Sequence, residues 1–262
     1  MRSFLKPAFI ASGLLAAAWL GSPSANAAVY DLTTQSAVAV QTSYGTAIFT
    51  TDFTQPTGTG VFDPFLTIQA NGVEEGYNTS AGVFDTKREP QWNHELTVGD
   101  LEQTRITING ADYYSFTIDI NEPNAGDKSL ISLDSLKIFL SDKEGQKTRN
   151  VESLGTKVFD LDLPVDNYVL YDDANSGSGQ ADIAFYIPVT AFAGASADTY
   201  VYMYQKFGTY YSAESVASTQ GGFEETRLAI NVRPIPEPSA VLPLIGVLGL
   251  ALTSRRLWRQ RA

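Results

Sequence analysis

The chain has no cysteine and only one histidine, His94, among its 262 residues. Without cysteine there is no disulfide framework, no thiol nucleophile and no thiolate metal ligand. One imidazole is too few for a zinc centre of nitrogen and sulfur donors. A Ser-His-acid triad has only His94 as its base, and no Gly-x-Ser-x-Gly turn accompanies it; a histidine beside Trp92 in a loop reads better as a structural hydrogen-bonder. Helical periodicity is also scarce. From Val29 onward the apolar residues recur with period two, which disfavours the βαβ units of a parallel sheet. Basic charge is short: 18 Lys and Arg stand against 29 Asp and Glu, a net charge of −11. The deficit deepens between residues 28 and 233, where 12 basic side chains face 28 acidic ones, a charge of −16. Such a surface repels nucleic acid and anionic lipid, so no nucleic-acid partner is expected.

What is present is concentrated at the ends. Met1 to Ala27 carries Arg2 and Lys6, an apolar stretch from Ala8 to Leu20, and Ala25-Asn26-Ala27. That order is a secretory signal helix with an A-x-A cleavage site, read through Ala25 and Ala27 and cut after Ala27. The other end, residues 234–262, begins with Pro234, Pro236 and Pro238 at alternate positions. Each proline fixes its own φ and pushes the residue before it toward extended backbone, so the hinge is polyproline-II-like and accessible. An uncharged run from Ala240 to Leu252 follows, about 20 Å long as a helix against a hydrocarbon core of about 30 Å. Ser239, Thr253 and Ser254 extend it, and Trp258 suits the headgroup layer. Arg255, Arg256, Arg259 and Arg261 make a basic end that the positive-inside rule keeps in the cytoplasm. The two ends predict an exported domain, 28–233, held for a time at the inner membrane by a C-terminal transmembrane helix.

Pro236-Glu237-Pro238, the apolar run and the Arg-rich end together resemble the PEP-CTERM sorting signal of Gram-negative bacteria. Two departures are Pro243 within the apolar run and Leu257, Trp258 and Gln260 within the basic block. The resemblance implies that an exosortase, a transpeptidase-like membrane enzyme, recognises and removes the tail. It also implies release to the cell surface or extracellular matrix, in company with exopolysaccharide and biofilm formation. Segments of the body, among them ITINGADYYSFTIDINEP and GGFEETRLAINV, are similar to PEP-CTERM proteins too, and carry no activity with them.

The body reads as about ten short strands. Asn109-Gly110, a two-residue hairpin turn, joins Thr104–Ile108 to Asp112–Ile120, and Tyr114, Phe116, Ile118 and Ile120 should face the core. Further strands are expected at Ala47–Phe53, Phe65–Gln69, Leu133–Leu140, Val158–Asp162, Asn167–Tyr171, Ala181–Val189, Thr199–Phe207 and Arg227–Val232. Residues 73–95 look irregular, and Ser212–Ser218 allows a helical turn. Short strands with turn chemistry between them point to an all-β, antiparallel sandwich of jelly-roll type.

Four groups in the body invite a chemical reading. The loop from Asp172 to Asp182 gathers hard oxygen ligands and glycines, and Asp173, Asn175 and Asp182 are the candidates for Ca²⁺, although the register is not that of an EF-hand. A solvated acidic hairpin is the plainer alternative. The pairs Glu74-Glu75 and Glu224-Glu225 suit a glycosidase acid and base if folding brings them about 5–10 Å apart; surface charge is the plainer alternative. Tyr200, Tyr202 and Tyr204 lie on one strand face and, if exposed, would stack on sugar rings. Asn78-Thr79-Ser80 matches a glycosylation sequon and also reads as a turn. The leading expectation is a non-enzymatic exported matrix protein. A carboxylate-dependent glycoside hydrolase and a calcium-dependent adhesion or carbohydrate-binding module are the alternatives.

Overall fold

A computed structural model describes residues 27–54, 63–123, 126–172, 180–211 and 216–234. The expected secretory signal, up to residue 26, and the expected sorting tail, from residue 235, lie outside the described residues. Among the described residues no helix is long and apolar enough to cross a membrane.

Among the described residues eighteen strands run in chain order. They are β1 (Ala28–Asp31), β2 (Ala37–Thr42), β3 (Gly45–Thr50), β4 (Leu66–Ile68), β5 (Asn71–Gly72) and β6 (Glu74–Tyr77). Then come β7 (Leu96–Thr97), β8 (Arg105–Ile108), β9 (Ala111–Ile120), β10 (Leu130–Ser141), β11 (Thr156–Asp160) and β12 (Asn167–Asp172). The last are β13 (Ile183–Pro188), β14 (Tyr200–Phe207), β15 (Tyr210–Tyr211), β16 (Val216–Ala217), β17 (Thr219–Gln220) and β18 (Glu224–Leu228). A single α-helical turn, α1 (Val98–Leu101), follows β7.

Two sheets dominate. One has the order β1-β12-β10-β14-β6, with β11 alongside β10 and β7 alongside β14. The other has the order β2-β3-β13-β9-β18-β4, with β8 alongside β9. The sheets face each other across one apolar core, as an all-β, sandwich-like chain of this length requires to bury both inner faces. Tyr114, Phe116, Ile118 and Ile120 of β9 enter this core as their alternation predicts, opposite Leu136 and Ile138 of β10 and Val201 and Met203 of β14. Each such side chain is fully or almost fully buried, worth about 2 kcal/mol apiece. The Asn109-Gly110 turn has φ of 51° and 84°, the left-handed pair that a tight hairpin demands. The pairing is antiparallel throughout both sheets except at β1, which runs parallel to β12 with Ala28 opposite Asn167.

Several boundaries differ from expectation. Two strands, β1 and β2, precede the first one read from sequence. The last strand is Glu224–Leu228 rather than Arg227–Val232, and the region 73–95 contains β6. The helical turn expected at Ser212–Ser218 falls partly outside the described residues, and its C-terminal part is β16.

Outer faces are covered as well. Tyr77, Phe139, Tyr202 and Tyr204 form a second apolar cluster with Val83 and Leu154 from the loops that lie over the first sheet. A third cluster, including Phe53, Ile106, Tyr113, Tyr186 and Val232, lies outside the second sheet. Covering both faces of a sheet makes its strands apolar on both sides, which blurs simple alternation.

Candidate functional site

The two glutamate pairs meet through one member of each, Glu74 and Glu224. On a strand, neighbouring side chains point to opposite faces, so Glu74 and Glu224 turn into the space between the sheets while Glu75 and Glu225 turn outward. Glu75 lies on the outer side of the first sheet, where it accepts a hydrogen bond from the Tyr204 hydroxyl. Glu225 lies on the outer side of the second, near Asp119 and Lys87. The sandwich itself separates these two.

Glu74 and Glu224 have no solvent exposure, and Glu122, just beyond β9, is 4% exposed. Glu224 is in side-chain contact with both Glu74 and Glu122, whereas Glu74 and Glu122 feel each other only through space. The outer two are each fixed by a backbone donor. Ala70 N–H donates to Glu74 Oε2 at 2.7 Å, and Gln220 N–H to Glu122 Oε2 at 2.8 Å. Among the described residues no donor reaches Glu74 Oε1 or either oxygen of Glu224. Burial pushes Glu74 up to about 7, from an ordinary 4.5. Glu224 is driven well above the usual carboxylate range by burial first and by its two acidic neighbours next. Glycine enables the approach: a Cβ on Gly222 would lie 1.9 Å from the Asn121 carbonyl oxygen. One step along the same strands, Thr226 Oγ1 donates to Gln205 Oε1 at 2.9 Å, a buried link from sheet to sheet.

A separate open cleft of about 610 Å³ lies beside His94, lined among others by Asp63, Asp100, Gln103, Arg227 and Ile230. Its acidic groups are largely engaged. Asp100 Oδ2 accepts from Thr97 N–H at 2.8 Å and from Thr97 Oγ1 at 2.7 Å, closing the capping box of α1. Glu95 Oε1 accepts from Thr79 Oγ1, Ser80 N–H, Ser80 Oγ and Gly145 N–H at 2.9–3.3 Å. His94 Nδ1 is 3.1 Å from the Pro90 carbonyl oxygen, a structural bond of the kind expected from its place beside Trp92.

The remaining candidates are dispersed. Tyr202 and Tyr204 are 0% and 6% exposed and Tyr200 is half-buried, so the tyrosine face is covered by the loops over the first sheet and is not an open platform. Its hydroxyls are used inside the protein, Tyr202 donating to the Lys143 carbonyl at 2.7 Å. Asn78 and Thr79 are buried. The Asn78 amide donates to the His94 and Val201 carbonyls at 3.2 and 3.0 Å and accepts from Met203 N–H at 2.6 Å, completing the edge of β14. That binds the sequon into the fold as structure.

Of the calcium candidates, Asp173 and Asn175 lie outside the described residues. Asp182 is 4% exposed, with Oδ2 accepting from Ile120 N–H at 2.9 Å. Among the described residues no group of three or more His, Asp or Glu side chains is arranged to hold a metal ion. Pro236, Glu237, Pro238, Arg255, Arg256, Arg259, Arg261 and Ala25 are outside the described residues, and Ala27 is exposed. The chain matches no family model, and no curated protein or solved structure is significantly similar to it.

Proposed function

We propose that the chain is an exported, non-enzymatic surface or matrix protein. In this reading an exosortase processes it at Pro236-Glu237-Pro238, and its domain, a sandwich of jelly-roll type, associates with exopolysaccharide. The carrying observation is the use of its carboxylates. The pair that comes together, Glu74 with Glu224, is sealed between the sheets, where no glycosidic bond can enter. Glu75 and Glu225 lie on opposite outer sides of the sandwich, Glu225 itself buried there, and at the His94 cleft Glu95 and Asp100 are held by hydroxyl and backbone donors. A general acid and its partner need access to substrate from both sides of the scissile bond, so this arrangement favours a scaffold over a hydrolase. The destination rests on the signal, hinge, apolar run and basic end, in that order along the sequence.

The decisive experiment is the intact mass of the protein recovered from envelope and matrix fractions of its host. A matrix species beginning at Ala28 and ending between Pro236 and Ser239 is the expected result. A full-length C-terminus confined to the inner membrane overturns the sorting reading and leaves the tail as a plain anchor.

A further inference from the structure

The buried row of carboxyls has a feature that its neighbours lack. Three acids converge at one end of the sandwich interior, from three different elements: Glu74 on β6 of the first sheet, Glu224 on β18 of the second, and Glu122 after β9. Between ionised carboxylates there is only repulsion, and none of them has a hydrogen to donate. Yet Glu224 is in contact with both of the others. As ions, Glu74 Oε1 and both Glu224 oxygens lack any donor while buried, an arrangement of high cost. Protons cure all of it: an O–H placed in each of the two contacts turns repulsion into a hydrogen bond.

The charged groups that act most strongly on Glu74 and Glu224 are themselves acidic. Glu74 feels Glu224, Glu122 and, more distantly, Asp85, which follows the loop over the first sheet. Glu224 feels Glu74 and Glu122. Neither has a cation among the described groups acting on it. Lys87 acts on Glu225, on the far side of the strand. Gln205 and Thr226, next along the interior, are neutral.

We propose that Glu74, Glu224 and Glu122 form a proton-held clasp that locks the two sheets at this end and opens when the pH rises past neutral. Two shared protons close it, in the contacts Glu74···Glu224 and Glu224···Glu122, and both leave to solvent when it opens. What opens is defined by the backbone groups that the clasp holds. Ala70 N–H is bound to Glu74 and Gln220 N–H to Glu122. Ala70 directly precedes, and Gln220 belongs to, the small ribbon in which β5 pairs with β17, Gly72 opposite Thr219 and Asn71 opposite Gln220. Thr219 Oγ1 and the Gln69 amide tie the same ribbon to the Ala70 and Gly221 carbonyls, at 3.0 and 2.9 Å. Mutual repulsion of the three carboxylates frees this ribbon first, because it is only two residue pairs long and two N–H groups in or beside it are held by the clasp. The raised titration of Glu74 and Glu224 agrees in direction: folding favours their protonated forms, so the clasp is closed in acid and lost as the pH rises.

The test is amide hydrogen exchange on the full-length chain in mild detergent, normalised for the intrinsic rate at pH 5.5 and at pH 8.5. Protection of the Ala70 and Gln220 amides is expected to fall at least about tenfold at the higher pH, because closing the clasp takes up protons. Protection of Ile138 and Met203, at the centre of the first sheet, is expected to stay level. Glu224→Gln, whose amide donates without titrating, should hold Ala70 and Gln220 equally protected at both pH values. Equal protection at both pH values in the unmodified chain overturns the proposal, and so does an undiminished drop in Glu224→Gln. Infrared titration of the unmodified chain supplies a readout that needs no variant. A protonated-carboxyl C=O band persisting above pH 6 supports the clasp, and its absence refutes it. Calcium chloride added at pH 8.5 separates proton from cation. Restored protection at Ala70 and Gln220 would mean that a divalent ion holds the three carboxylates, and the proton clasp would be wrong.

Discussion

Glu95 and Glu224 are both carboxylates drawn into the protein, and their surroundings are opposite in kind. Glu95 sits under the loops that cover the first sheet, and a single one of its oxygens gathers two hydroxyls and two backbone N–H groups. Glu224 sits between the sheets and meets two more carboxyls. The first is a hub of donors around a charge, and the charge strengthens every bond to it. The second is a row of acceptors, and only a neutral form is compatible with its place. Burial alone therefore does not say what a buried acid does; the sign of its neighbours does.

Breaking the hub should cost the most stability. Glu95→Ala leaves the Ser80 and Gly145 N–H groups without their acceptor and loosens residues 79–81 from residues 145–146. The expected loss is about 3 kcal/mol, read as a lower urea midpoint with an unchanged slope. A loss below about 1 kcal/mol would mean that Glu95 does not hold these loops together.

Glu74→Gln tests the other side of the comparison, and its effect should depend on pH. Folding raises the Glu74 carboxyl to about 7, above its unfolded value. Its stabilising contribution is thus complete below about pH 4.5, and is lost as the pH climbs through 7. Glutamine keeps an oxygen for Ala70 N–H and offers an amide donor to Glu224, without a charge to lose. The variant should match the unmodified chain at pH 4.5 and exceed it by about 3 kcal/mol at pH 8.5, since each tenfold gain in proton affinity on folding is worth about 1.4 kcal/mol. Urea titrations at the two pH values decide it. A variant less stable at both would mean that Glu74 is ionised in the fold and serves as an anchor like Glu95.

Much of this is legible in the chain itself, and the reasons for the rest are physical. The β9 alternation and the Asn109-Gly110 turn act locally, so the sequence carries them whole. Alternation likewise puts the tyrosines of β14 on one strand face. Whether loops fold over that face depends on residues 80–86 and 142–154, which no periodicity links to it. The glutamate pairs hold a subtler clue. Two adjacent acids on a strand must point to opposite faces, so in a sandwich one of each pair has to point into the space between the sheets. That much follows from strand geometry, but that Glu74 and Glu224 should meet does not, because it requires knowing which strands stack across the core. The parallel pairing of β1 with β12 is hidden for a similar reason: four residues hold too little pattern to declare a partner 139 positions away.

The link from Thr226 to Gln205 is the smallest test and separates polarity from charge in the same interior. It crosses between the sheets next to the clasp, is fully buried, and pairs a neutral donor with a neutral acceptor. Thr226→Val keeps the shape and removes only the hydroxyl. The amide oxygen of Gln205 then loses its partner across the core, at a cost of about 1 kcal/mol. Because neither group titrates, that cost should be the same at pH 5.5 and pH 8.5, while the neighbouring glutamates respond to the change. If the penalty instead grows at pH 8.5, the Thr226 link is supporting the sheets after the clasp has opened, and the two contacts act as one unit. An equal penalty at both pH values makes them independent, with the proton-dependent part of sheet-to-sheet adhesion confined to the three carboxyls. Thermal or urea unfolding of Thr226→Val and of its double variant with Glu74→Gln distinguishes these outcomes, since contacts that share no partner add and contacts that share one do not.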